Sequence, residues 1–242
     1  MSDCRKILAV FIGAVVLLCS GCSGLRSYSH PAFAVERRHI RIVTILPPLI
    51  DVQLESYDGG RSPLQSLEAS LQLQSRDELE RVFKEHGYTI RAWAYTEQEL
   101  AAQPQLRNDV RAVIWRYADI AYDLQRESKW GRLGFYVGTE ALGVASFMGS
   151  DALVLMKCKG VHYSPGATVR DALWYGVQDA LLSNNVGFGS LHKSKVIVQI
   201  GLVRPSDGAV IWYGDNLTGQ DMNIADEKQF RNTIRRIVKQ LK

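Results

Sequence analysis

Gly187-Phe188-Gly189-Ser190-Leu191-His192 opens like a phosphate-cradling loop. Glycines in such a loop let the backbone approach a pyrophosphate, and the loop must lead into a helix whose N-terminus faces the anion. Here His192 stands where the third glycine is needed, and the apolar residues from Ser194 to Val203 predict a strand. The stretch therefore reads as a connector. His162 and Ser164 lie close together, with His192 apart; a hydrolase would need a positioned nucleophile, a base and an orienting acid. There is no Gly-x-Ser-x-Gly elbow, and Ser164 before Pro165 reads as a helix cap. The five histidines show no His-Glu-x-x-His or other metal-ligand spacing. Cys158, inside Leu153-Val154-Leu155-Met156-Lys157-Cys158, reads as a buried strand thiol. No catalytic group, metal or cofactor is assigned, and the chain is expected to be no enzyme. Trp174 and Tyr175, which share a helix with an apolar stripe as Trp115 does, are the candidates for a partner surface.

The elements that would carry these residues follow from periodicity. His39 to Leu46 predicts a strand that Pro47-Pro48 stops. Ser62-Pro63-Leu64-Gln65 predicts a helix start, with Ser62 as cap and Pro63 at the first helical position. Leu64, Leu67, Leu71, Leu79, Val82 and Phe83 continue it to a stop at Gly87. Tyr88 to Trp93 predicts a second strand, and Thr96 with Glu99 a short capped helix. Leu106, Val110, Val113, Tyr117, Ile120 and Leu124 predict a long amphipathic helix. Asp151 to Val161 predicts a third strand, and Ser164-Pro165 a helix carrying Val169, Leu173, Val177 and Leu181. Two strands flanking Pro205-Ser206-Asp207-Gly208 predict a hairpin, before a last helix with Phe230, Ile234, Ile237, Val238 and Leu241. The order β, α, β, α, β, α, β-hairpin, α implies an α/β fold: a single domain with a mixed, partly antiparallel sheet packed by helices.

The N-terminus is of a different kind. Arg5 and Lys6 precede an apolar run from Ile7 to Leu18, and small residues follow, the pattern of a secretion signal. The run is shorter than the roughly 20 residues a spanning helix needs. Leu18-Cys19-Ser20-Gly21-Cys22 resembles a lipobox, with Ser20 and Gly21 matching and Cys19 departing from the usual pattern. The resemblance implies cleavage after Gly21 and a diacylglycerol thioether on Cys22, so that the membrane is a partner through lipid. Two or more acyl chains anchor firmly, at about 0.8 kcal/mol for each buried CH₂. Ser23 after Cys22, in place of Asp, resembles the lipoprotein pattern sorted to the periplasmic face of the outer membrane. The expected division is thus 1–21 signal peptide, 22–38 lipidated cysteine and flexible polar tether, and 39–242 the α/β domain.

With Cys4 and Cys19 removed with the signal and Cys22 acylated, Cys158 has no internal disulfide partner, so the fold must rest on its core. The chain is 46% hydrophobic and 22% charged, ordinary for a globular protein. Beyond the signal, 27 basic residues face 24 acidic ones without a stripe or block. That balance excludes nucleic acid as the evident partner. Arg231, Arg235, Arg236, Lys239 and Lys242 read as a solvated helix face near a C-terminus.

Four short cues resemble a superfamily of envelope lipoproteins that includes the TolB N-terminal domain, LpoB, CsgG and a group of lipoproteins of uncharacterised role. They are Ile42-Val43-Thr44-Ile45-Leu46-Pro47-Pro48, His86-Gly87-Tyr88, Ser150-Asp151-Ala152-Leu153-Val154, and the span from Val196 to Trp212. The resemblance covers residues 39–240, with 107–149 departing from it as a long insertion. It implies a non-enzymatic accessory or assembly protein that works by contact with envelope proteins. An alternative it carries is a subunit of a homo-oligomeric export channel, with 133–149 entering a membrane. That segment has a single charge, Glu140, and is otherwise expected to pack inside the domain. A periplasmic hydrolase using His162 or His192 is the remaining alternative.

Overall fold

Twelve consecutive residues, Ala152–Tyr163, form the axis of the sheet in the computed structural model, which describes residues 25–93, 95, 97–126, 135–169, 195–216 and 224–241. In chain order the elements are β1 (Arg26–Ser29), α1 (Phe33–Glu36), β2 (Ile42–Ile45), β3 (Leu49–Glu55), β4 (Arg61–Pro63), α2 (Gln65–Glu85) and β5 (Thr89–Ala92). They continue with α3 (Glu97–Ala101), α4 (Pro104–Arg126), α5 (Glu140–Met148), β6 (Ala152–Tyr163), β7 (Lys195–Val203), β8 (Val210–Asp215) and α6 (Glu227–Val238). The eight strands make one mixed sheet, ordered β1-β8-β7-β6-β2-β5, with β3 continuing beside β6 and β4 beside β3. β2 lies parallel to β5 and β6; β6, β7, β8 and β1 run antiparallel in turn. The α/β reading, one domain with a mixed sheet packed by helices, is the observed fold.

Alternation along β6 divides the core in two. Ala152, Val154, Met156 and Cys158 meet α2 and α6 through Leu71, Leu79, Val82, Phe83, Phe230, Ile234 and Ile237. Leu153 and Leu155 point the other way, to α4 and α5 through Val110, Val113, Tyr117, Ala141 and Val144. All of these are buried, each large side chain contributing about 1.5–3 kcal/mol relative to exposure. Helix ends follow expected chemistry where the sequence supplies it. Asp226 accepts from Gln229 N–H at 3.1 Å to start α6, and Gly87 takes φ +88° just beyond α2. Gly208 takes φ +73° in the β7–β8 turn.

The structure bears on three expectations. Pro47-Pro48 follows β2, which ends at Ile45 as expected, but pairing along β6 resumes beyond it in a second strand. Val43 to Ile45 pair with Ala152 to Val154, and Leu49 to Glu55 resume beside Lys157 to Tyr163 along the same edge of β6. Leu46, Pro47 and Pro48 thus face only Leu155 and Met156, one residue in excess. This is a bulge, the place where a sheet tolerates proline, because no ladder N–H is required there. Secondly, Ser62 and Pro63 belong to β4, opposite Leu54 and Gln53, and α2 starts at Gln65 with no side-chain cap. Instead Glu68 Oε1 accepts from Val52 N–H at 3.0 Å, and Leu64 N–H donates to Val52 C=O at 3.0 Å, so β3 holds the helix start.

Thirdly, the polar stretch 22–38 is built into the domain from Arg26 onward. β1 pairs with β8 and Phe33 is buried. Residues 22–24, like residues 1–21 where a signal is expected, lie outside the described residues, as do Thr96 and most of the helix expected from Ser164-Pro165, which is described as helical over 165–169. Within 133–149, residues 135–149 are described. Val137 N–H donates to Gly208 C=O, and α5 buries Ala141, Val144 and Ala145 on α4. Glu140 is ion-paired with Arg116 of α4, which holds its carboxyl below the usual range.

Candidate functional site

The sequence candidates do not converge. Cys22, Trp174, Tyr175, His192 and the Gly187–His192 stretch lie outside the described residues. Ser164 Oγ accepts from Ala167 N–H at 3.1 Å, as a cap does. His162 stands near the end of β6, in register with Leu54. Cys158 is fully buried, and burial pushes its thiol up to about 12, where almost no thiolate exists at neutral pH. Asp207 is occupied within its turn, bonding Arg204 and Ala209 N–H, and Arg204 keeps its carboxyl below the usual range. Trp115 is not core: it projects from α4 at 60% exposure. Among the described residues, no group of three or more His, Cys, Asp or Glu is placed to hold a metal ion, and no helix is long and apolar enough to cross a membrane.

What the fold does build is a cleft of about 450 Å³. Its cause is the bulge. Before Pro47-Pro48 the neighbour of β2 on the far side from β6 is β5; after it, the neighbour of β3 is β4. The sheet forks, and the gap lies beyond the carboxyl ends of β2 and β5. From β2 the chain reaches α2 by way of the β3–β4 hairpin, and from β5 it reaches α4 by way of α3; α2 and α4 pack on opposite faces of the sheet. Crevices at such a switch point are where open α/β sheets hold ligands.

Ile45, Leu46, Pro47, Pro48, Trp93 and Leu100 supply an apolar floor and lip. α2 contributes Gln72, Leu73 and Arg76, and α4 contributes Arg107, Val110, Arg111 and Ile114 at the i, i+3, i+4, i+7 spacing of one helix face. Tyr95 lines it too, its ring 5.2 Å from Trp93 and 5.5 Å from Phe147 of α5. Three guanidinium groups and no carboxylate line this cleft among the described residues. Arg76 donates outward to Glu80 at 3.2 Å. Among the described residues the cleft is thus a concave, mainly apolar surface that also presents three guanidinium groups, Gln72 and Tyr95.

The sequence reading missed the cleft. Two signals for it were present: prolines between two strand-like runs, and Arg107 and Arg111 interleaved with Val110 and Ile114.

Fold and site together define a mixed α/β sheet domain with an apolar, arginine-bearing cleft at the carboxyl edge of its parallel strands. No protein-family model matches the chain, and no curated protein does. Among solved structures it is similar to the PelC dodecamer from Paraburkholderia phytofirmans, at 12% identity and a TM-score of 0.40 over 88% of this chain and 93% of that one. A variant of the same dodecamer aligns at 11% identity and a TM-score of 0.41, over 88% and 94%.

Proposed function

We propose that this chain is a lipid-anchored accessory protein of the bacterial cell envelope, held at the periplasmic face of the outer membrane by acylated Cys22. In this reading it acts by contact and catalyses nothing. The observation that carries it is the lipobox-like Leu18-Cys19-Ser20-Gly21-Cys22 behind a basic and then apolar N-terminus. The start of the fold supports it. Arg26 opens β1 only four residues after Cys22, so the anchor and the sheet are at most about 14 Å apart along an extended chain. A domain so tethered presents its surface to partners at a set height above the bilayer, in keeping with the accessory role that the TolB, LpoB and CsgG-like resemblance implies.

Intact-mass analysis of the protein purified from membranes tests this. The expected product begins at Cys22 and carries acyl mass, while Cys22→Ser is recovered unacylated in the soluble fraction. An unacylated wild-type chain, or a Cys22→Ser chain that still sediments with membranes after a salt wash, would overturn the proposal. Solubilised wild-type protein is further expected to co-purify with an envelope protein that Cys22→Ser does not retain.

A further inference from the structure

We infer that the open edge of β5, with the arginines around it, is a docking strand for an acidic, extended segment of a partner protein. β5 closes one end of the strand order, with β2 as its ladder neighbour. Thr89 N–H donates to Arg41 C=O at 2.8 Å. Backbone groups alternate along a strand, so Ile90 turns its N–H and C=O outward, where an added strand can pair with them. The arginines at this edge give it one sign of charge. Arg91 stands on β5 itself, and Arg37, Arg38 and Arg41 stand in the link between α1 and β2; all four are exposed. Burial lowers the pKa of His86 and raises that of Tyr88, while the charge of Arg37 acts to lower both, which places Arg37 beside the turn that leads into β5.

The carboxylates next to these residues are engaged elsewhere. Glu36 pairs with Arg204 and Glu85 with Arg81, while Asp151 Oδ2 accepts from the backbone N–H groups of Arg41 and Ile42 at 2.8 Å each. Among the described residues no ion pair joins Arg37, Arg38, Arg41 or Arg91 to a carboxylate, so the single charge of Asp151 leaves the edge net positive. Guanidinium groups hold carboxylates in paired, charge-assisted hydrogen bonds. An acidic strand would therefore meet both an open ladder and opposite charge. The β5 of a second copy would instead bring Arg91 against like charge. A lipid surface or an anionic glycan would use the charge but has no strand to add. The inference rests on the contact-based role proposed above and gives the partner a chemistry.

Fluorescence anisotropy of the full-length protein in detergent, titrated into a labelled octapeptide of alternating glutamate and threonine, tests this. The glutamine–threonine analogue removes the charge, and the acidic peptide N-methylated at every residue removes the ladder donors. The acidic peptide is expected to bind about tenfold more tightly than either. The triple variant Arg37→Gln/Arg38→Gln/Arg41→Gln is expected to bring it down to the level of the glutamine analogue. Arg91→Glu, a reversal at an exposed position on the strand itself, is expected to do the same and serves where the triple variant unfolds early. Equal binding of the glutamine analogue would overturn the inference. So would undiminished binding of the N-methylated peptide, which would mark a surface for any polyanion or anionic lipid, and so would binding that survives Arg91→Glu in a protein with unchanged thermal unfolding. Acylation of Cys22 does not enter this measurement, so its failure and that of the anchor are read separately.

Discussion

Arg26 lies fork-wise across Asp215, with Nε donating to Oδ1 at 3.1 Å and Nη2 to Oδ2 at 3.0 Å, and the aspartate is completely buried. The pair joins the first residue of β1 to the last of β8, 189 positions away. It explains why a stretch with the composition of a tether is a strand. The buried carboxylate requires a guanidinium, and the hydrogen-bonded aspartate raises the pKa of that arginine further.

Arg26→Gln is therefore expected to lower unfolding stability by about 2 kcal/mol, since it leaves a buried carboxylate without its charged partner. Asp215→Asn should cost less, because Arg26 is partly exposed and can turn to water. Urea denaturation of the two variants gives the order; a neutral Arg26→Gln would contradict the role assigned to the pair.

Gly201 sits in β7 beneath the ring of Tyr117. A Cβ there would come within 2.5 Å of the ring carbon Cε2. Tyr117 is buried in the second core. Gly201→Ala should destabilise by about 1–3 kcal/mol through overpacking. Tyr117→Leu in the same chain should recover part of that loss, seen as non-additivity in a double-mutant cycle.

Cys158 makes stability depend on pH at the alkaline end. Its folded pKa of about 12 stands above the ordinary thiol value of 9.0. The contribution is therefore fully present below about pH 9 and is lost as pH rises from there towards 12. Above pH 9 the unfolded chain has released a proton that the folded one keeps, so the stability of wild type should fall by about 1.4 kcal/mol per pH unit more steeply than that of Cys158→Ala. Denaturation midpoints at pH 8, 9 and 10 measure the difference. A thiol reagent should label Cys158 only after denaturant is added.

How far such relationships were visible beforehand depended on their range along the chain. α6 was legible because Phe230, Ile234, Ile237 and Val238 repeat every three or four residues. β6 was legible because its apolar run, covered on both faces, has few rivals at that length. β1 was not, since the reason for it, Asp215, lies near the other end of the chain. β4 was misread because Ser62-Pro63 satisfies the local grammar of a helix start, while the competing partner Leu54 belongs to a hairpin that only the β6 register defines. The cleft was hidden for the same cause: Arg76, Trp93 and Arg107 become neighbours only once β2 is known to lie between β5 and β6.

The fork in the sheet also sets one hairpin apart from β5. The β3–β4 hairpin hangs from β6 and the start of α2, and shares no ladder with β5. Its tip, Asp58-Gly59-Gly60, is exposed, and Gly59 takes φ +83°. Foreign sequence grafted into that tip would sit at the exposed end of the hairpin, away from Val52, which holds the start of α2. An epitope or a fluorophore could be carried there on residues that do not line the arginine-bearing crevice.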